Sequence, residues 1–426
     1  MIADMASRPP PPLWNDGMNA TDGRVPAGLV WALGITQTIG YGTLYYSFGP
    51  LAPRLAQAFG WPESALFGLL AGSLLLGGAV APWAGSLADR LGGGRVMAVG
   101  SIAASLALVF CAMAGNGMVY ALGLLSVELA STLVLYPLAF ATLAQLSGGA
   151  AQRQIVHVTL IAGFASSVFW PVTTWLVGPL GWQGTYLVFA ALNLLVCAPI
   201  HLGLARHAVR SRRSGLAAPV LDGHATGANA PLLLGLMLAG FALAGIVATA
   251  IAMHMVPMLD GLGLGGASVA IAMLFGPAQV ASRVVNMGFG ARLPQPVLAM
   301  LAAGLMPLGL LVLVVSAPSS LGAVGFALLF GFGSGLFSIV GGTLPLMLFG
   351  NRGYGRRLGV VTAARQFAAA LAPFIFALLT AGLGSRPALV AVSLCGAAAT
   401  LAFAAIAWQT RGPAAPDPAA AARQTG

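Results

Sequence analysis

Twelve apolar runs, each long enough to cross ~30 Å of hydrocarbon, succeed one another along the chain. They lie at about 27–52, 64–88, 95–114, 118–146, 154–178 and 182–204. After a polar interval come 231–259, 266–289, 294–316, 319–349, 358–382 and 386–409. Few folds accept such a series. In lipid the backbone must satisfy its own hydrogen bonds, and runs of this length do so as helices. The expected fold class is therefore all-α, a polytopic membrane protein with twelve transmembrane helices, numbered 1 to 12 below. Composition agrees: 58% of the 426 residues are hydrophobic, and the mean hydropathy of +0.92 exceeds what a soluble core needs.

The longest polar interval after the N-terminus, ARHAVRSRRSGLAAPVLDGHATGANA, divides the runs six and six. The expected organisation is an N-terminal tail (1–26), a first bundle (27–204), a linker (205–230), a second bundle (231–409) and a C-terminal tail (410–426). Residues 1–26, with RPPPPLWNDG and charges of both signs, lack an apolar h-region and do not resemble a cleavable signal peptide.

All 19 basic residues are arginine, giving a formal charge of +10. They are scattered between apolar runs without a basic face or interleaved aromatics, so nucleic acid is not an expected partner. They follow topology instead. With the N-terminus inside, fifteen arginines fall on one side and only Arg54 and Arg386 on the other. Both termini are then expected in the cytoplasm. Arg-, Ala- and Gly-rich, Lys-free composition suggests a bacterial cytoplasmic membrane, and a monomer is expected. Cys111, Cys197 and Cys395 lie far apart in apolar runs and form neither a metal spacing nor a disulfide framework. No metal or cofactor is expected.

Charge inside the membrane is costly, ~2.5–3.5 kcal/mol near the bilayer centre on insertion scales. Three such groups stand out. Glu128 lies near the middle of helix 4, sharing an i, i+4, i+8 stripe with Thr132 and Tyr136. Arg283 lies in helix 8 and Arg365 in helix 11, each within snorkelling distance of the inner surface. Two arginines against one glutamate leave one positive charge in excess, which an anionic substrate would neutralise. Helix 1 offers Gln37, Tyr41 and Tyr45 at the same spacing, and helix 10 offers Ser334 and Ser338. His254, near the outer end of helix 7, and His157, in helix 5, titrate near neutral pH when unperturbed. A lone membrane histidine serves packing more often than chemistry. The 58 glycines, as in GLLAG and GFGSG, permit close helix approach.

The stretch GSLADRLGGGR (85–95) concentrates glycine with Asp89, Arg90 and Arg95 between helices 2 and 3. It resembles the loop signature of the major facilitator superfamily. The six-plus-six arrangement resembles that superfamily over about residues 27–409. Within it, SFGPLAPRLAQAFGW, GWQGTY and HMVPML look like the monocarboxylate and oxalate/formate branch. Gly94 departs from the usual basic residue, and Arg292 in GFGARLP replaces the acidic residue of the second-half counterpart.

The resemblance implies two pseudo-symmetric six-helix bundles and a secondary transporter working by alternating access. It places helices 1, 4, 7 and 10 around a central cavity, which makes Gln37, Tyr41, Tyr45, Thr132, Tyr136, Ser334 and Ser338 candidate substrate-binding residues beside Arg283 and Arg365. Asp89 would face the inner end of helix 11, near Arg357, as a gate with Arg90 and Arg95. In the monocarboxylate transporters a helix-8 arginine works with an aspartate one turn earlier. Here Arg283 is followed back to Gln279, so any proton coupling falls to Glu128, with His254 as a second candidate. The substrate expected is a small organic anion such as a monocarboxylate. Proton-driven efflux of a drug-like compound is the alternative. An intramembrane hydrolase built on Ser334 and His254 is the rival of a different class, and without clustered acids or metal ligands it is not expected.

Overall fold

The computed structural model describes residues 25–214, 219–225, 229–289 and 293–410. Most of both tails and Arg292 lie outside these residues. Among the described residues, nine helices are long and apolar enough to cross a membrane. One of the nine, Gly117–Ser211, is a run folded back on itself into three passes. The first pass is interrupted, and with it the passes number twelve.

Helix 1 comprises Ala27–Tyr41, a π turn at Gly42–Tyr46 and Phe48–Phe59. Helix 2 is Glu63–Leu91, and helix 3 is Gly93–Ala112. Helix 4 has two parts, Gly117–Ser131 and Tyr136–Ser147. Pro137 explains the break, since proline has no N–H to donate and pushes the preceding residue out of helical geometry. Helix 5 likewise breaks after Ala151–Ala162 and resumes at Ala165. The chain turns into helix 6 at Gly181, whose φ of 64° is open to glycine at no steric cost. Helix 6 contains a second π turn, Asn193–Cys197, before Ala198–Arg213. The two π turns meet, with Asn193 Nδ2 donating to Thr43 Oγ1 at 2.9 Å.

The second bundle consists of helix 7 (Ala230–Gly261), helix 8 (Ser268–Met273 with Phe275–Phe289), helix 9 (Gln295–Ser316) and helix 10 (Ser320–Phe349). Helix 11 (Tyr354–Leu383) and helix 12 (Ser385–Gln409) complete it. Two boundaries differ from expectation. Helix 6 continues through Arg206 and Arg210, so the linker starts later, because these arginines extend an already nucleated helix at little cost. Helix 11 starts at Tyr354 rather than near Arg357, with Gly353 in left-handed geometry just ahead of it.

Three buried clusters form the core. One lies wholly in the second bundle and one wholly in the first. The third joins Ala84, Ala88, Phe140 and Ile155 of the first bundle to Leu346, Tyr354 and Leu358 of the second. The bundles thus share a core at their arginine-rich end. The linker reinforces that end. Asn351, in the turn between helices 10 and 11, accepts from Leu221 N at 3.0 Å and donates to Pro219 O at 3.1 Å and to Ala144 O of helix 4 at 3.4 Å.

Candidate functional site

The arginine-rich end is shut by backbone-to-backbone contact of helices 2 and 11. Gly85 lies against the Gly355 carbonyl, and Gly359 against that of Ala81, so that a Cβ at either glycine would overlap backbone atoms. Residues of this size at i and i+4 let two helices meet with almost no side chain between them. Asp89 then caps helix 11. Its Oδ1 accepts from Gly355 N at 3.0 Å and its Oδ2 from Arg356 N at 2.9 Å. Both donors are first-turn amides, which have no partner within their own helix, and the helix dipole favours a carboxylate there. Arg90 and Arg95 are exposed and take no part in this contact. The glycine turn is braced by Gln145, which accepts from Gly93 N and donates to Ala88 O. Gly94 lies against the Ala205 backbone, which leaves no room for the basic side chain usual at that position.

The Asp89 contact spans the two bundles, so it persists only while this end is closed. Asp89→Asn replaces one acceptor with a donor facing an N–H. The closed form should lose about 1.4 kcal/mol, the size of a modest charge-assisted bond, which is a tenfold shift in the closed-to-open ratio. Transport should fall while the yield of folded protein is unchanged; normal transport by the variant would reduce the loop to a topology signal.

Several of the polar candidates come together on helices 1 and 4, beside helix 5. Tyr41, Tyr45 and Tyr46 come from the π turn of helix 1 and its edge. Tyr41 packs on Tyr136 with ring centroids 4.6 Å apart, and Tyr45 on Tyr46 at 5.2 Å. Trp170 of helix 5 joins Tyr46 at 6.4 Å. A π turn adds one residue per turn and redirects side chains, which is why three tyrosines so close in sequence point into one space. Tyr136 stacks on Phe140, which lies against Gly342 of helix 10 and floors the space.

Opposite these rings stand the two arginines. Arg283 is 6% exposed, and its Nε donates to Ser338 at 3.2 Å. One turn earlier on helix 8, Gln279 donates to Ser334 at 3.2 Å. The serines of helix 10 thus hold the helix-8 side chains in place. Gly331 and Gly335 make that possible by packing directly on helix 8. The Arg283 guanidinium crosses to the first bundle, where Nη1 abuts Gly163 at the break in helix 5. That Nη1 is buried without a partner. Arg283 lies within electrostatic reach of Tyr46 and Tyr136, and Arg365 within reach of Tyr41 and Tyr45.

Arg365 departs from expectation in being exposed. Its stem rests on Gly245 of helix 7. The intramembrane charges that are buried are therefore Glu128 and Arg283. Glu128 is 7% exposed and lies against Gly77 of helix 2. It forms no ion pair with either arginine.

The remaining candidates are placed elsewhere. Gln37 is 1% exposed and donates to Val134 O at 2.8 Å, filling the hydrogen bond that the break in helix 4 leaves open. Thr132 sits in that break and donates to Leu129 O, so the stripe expected from Glu128 to Tyr136 is not continuous. His254 bonds to Ala250 O and packs on Phe376. With Ser334 engaged by Gln279, serine and histidine have separate partners.

These features define a polytopic membrane protein of two helix bundles closed together at one end, with a cluster of tyrosines beside a buried arginine where the bundles meet. A family model described as Major Facilitator Superfamily matches residues 34–373. The chain belongs to that superfamily, and it is a transporter rather than an enzyme. Solved structures share the fold. The human organic anion transporter MFSD10 (TETRAN) aligns with a TM-score of 0.71 at 16% identity, covering 89% of this chain and 100% of its own. FucP in the outward conformation gives 0.68 at 14%, covering 90% and 99%. The proton:xylose symporter XylE gives 0.65 at 14%, covering 88% and 95%. No curated protein sequence matches the chain.

Proposed function

We propose that the protein carries a small organic anion across a bacterial cytoplasmic membrane by alternating access, with its arginine-rich end toward the cytoplasm. One observation carries this reading: Arg283 is a buried cation with a free Nη1 donor and no counter-ion, at the surface where the bundles meet. Arginine stays charged at any depth, and unpaired buried charge is costly. A carboxylate reaching Arg283 supplies both the missing charge and the missing acceptor. Arg365, which is exposed, would attract that anion first. The tyrosines line the path between the two. MFSD10, one of the structural relatives, is described as an organic anion transporter.

Glu128 is the proposed proton carrier. A buried carboxyl without a cation beside it is cheaper neutral than charged, and hydration of the cavity in one state would let it release a proton. Uptake of radiolabelled small carboxylates into proteoliposomes, with and without a pH gradient, tests the whole reading. Wild type should accumulate an anion only with the gradient. Glu128→Gln should lose that accumulation and keep exchange of substrate against substrate. If Glu128→Gln still concentrates substrate, the proton assignment fails. If only cationic or neutral compounds move, the anion reading fails and drug-like efflux becomes the better account.

A further inference from the structure

Asp89 divides the groups at the closed end into two sets. Its oxygens are taken by helix 11 amides. On the neighbouring face of helix 2, Trp83, Ser86, Leu87 and Arg90 recur at helical spacing and line an open groove of about 340 Å³. Arg356, from the first turn of helix 11, forms its other wall. Arg90 and Arg356 are both exposed; among the described residues neither guanidinium has a protein partner, and no acidic side chain lines the groove. Arg357, next in sequence, differs: it donates to Phe349 O and Arg352 O. Trp83 is 60% exposed, and an exposed tryptophan beside arginines at a helix end is the pattern of a membrane–water interface. The Ser86 hydroxyl donates to Pro82 O at 2.8 Å, which leaves its lone pairs free to accept a hydrogen bond.

We infer that this groove binds the phosphodiester headgroup of an anionic glycerophospholipid and that the lipid favours the closed form of this end. The phosphate takes the two guanidinium groups, which suit phosphate geometry. A headgroup hydroxyl donates to Ser86, and the acyl chains leave past Trp83 into the bilayer. The two arginines belong to different bundles and share one groove only while the end is shut. Without an anion their like charges face each other across the seam; with one, the same charges hold the bundles together. Asp89 cannot serve as that anion, since helix 11 occupies it. Association with the anionic leaflet follows from the cytoplasmic orientation proposed above.

The test uses the full chain in vesicles, with spin labels on cysteines replacing Leu91 and Arg352, so that their separation reports the closed fraction. Wild type in phosphatidylcholine is compared with wild type in phosphatidylcholine containing phosphatidylglycerol. A headgroup held by one arginine gains the second only on closure, and one arginine near an anionic surface is worth about fivefold, so the closed-to-open ratio should rise ~5-fold. Arg90→Gln and Arg356→Gln should each lose nearly all of that response, because either loss breaks the bridge, and the double variant should lose no more. Arg95→Gln, which removes an exposed charge outside the groove, should retain it. Absence of a lipid response in wild type, a full response in the double variant, or an equal loss in Arg95→Gln would each overturn the site. Glycerol 3-phosphate reproducing the response in phosphatidylcholine alone would overturn the lipid assignment in favour of a soluble anion. No transported substrate is involved, so the result is separate from the anion-transport reading.

Discussion

Arg283→Gln should lower kcat/KM for anionic substrate by about a hundredfold, which is ~2.7 kcal/mol of lost transition-state interaction. The substitution removes the one buried arginine among the described residues and leaves Ser338 without its donor. The folded state should not suffer. Wild type already bears the cost of an unpartnered Nη1, and replacing unpaired buried charge with a neutral group relieves it. Transport and thermal stability are therefore expected to move in opposite directions, with Tm unchanged or raised as transport falls. Arg283→Lys keeps the charge but not the fork that serves Ser338 and a ligand together, and should lie between wild type and Gln. Direct assay of initial rates in proteoliposomes, beside a melting curve in detergent, checks both. Near-normal anion transport by the Gln variant would remove Arg283 from the substrate path.

The second large effect concerns a residue without chemistry. Gly85→Leu should prevent helices 2 and 11 from meeting, because even a Cβ at this position would overlap the Gly355 carbonyl. Overpacking costs about 1–3 kcal/mol where neighbours can adjust, and a backbone carbonyl adjusts less than a side chain. The closed-to-open ratio should fall by a factor of about 100, equal to ~2.7 kcal/mol. Asp89 would lose its partners as a consequence. Gly68 offers the control, since it lies on the same helix with nothing within 4 Å of its missing Cβ. Gly68→Leu should be silent. Disulfide cross-linking between cysteines at Ser86 and Arg356 measures the approach: it should fall sharply in the Gly85 variant and persist in the Gly68 variant. Equal cross-linking in both would show that the seam is softer than its geometry implies.

These two residues also mark the limit of what sequence discloses. The number of passes, their grouping by six and the side on which arginines gather are legible along the chain, because each is a local matter of hydropathy and length. A lipid-crossing helix satisfies its own backbone, so its existence does not depend on its neighbours. Asp89 stands out through the resemblance of its loop to a family signature, not through hydropathy or spacing, and its oxygens accept from amides at the start of helix 11.

Which polar residues share a cavity is a different kind of fact. Gln37, Tyr41 and Tyr45 have one spacing in sequence, yet Gln37 repairs the break in helix 4 while Tyr41 packs on Tyr136 and Tyr45 on Tyr46. The π turn at Gly42–Tyr46 shifts the phase of the helix, and a uniform period cannot register that. Tyr46, Trp170 and Gly163 carry no signal that separates them from other aromatics and glycines in the chain. Arg365 and Arg283 look alike in sequence, one in each of two apolar helices. Only the packing makes one exposed and the other buried, since depth in a transporter is set by where the two bundles touch. The same holds for glycine: Gly85 and Gly68 are chemically identical, and the neighbour that each meets decides which of them can be replaced.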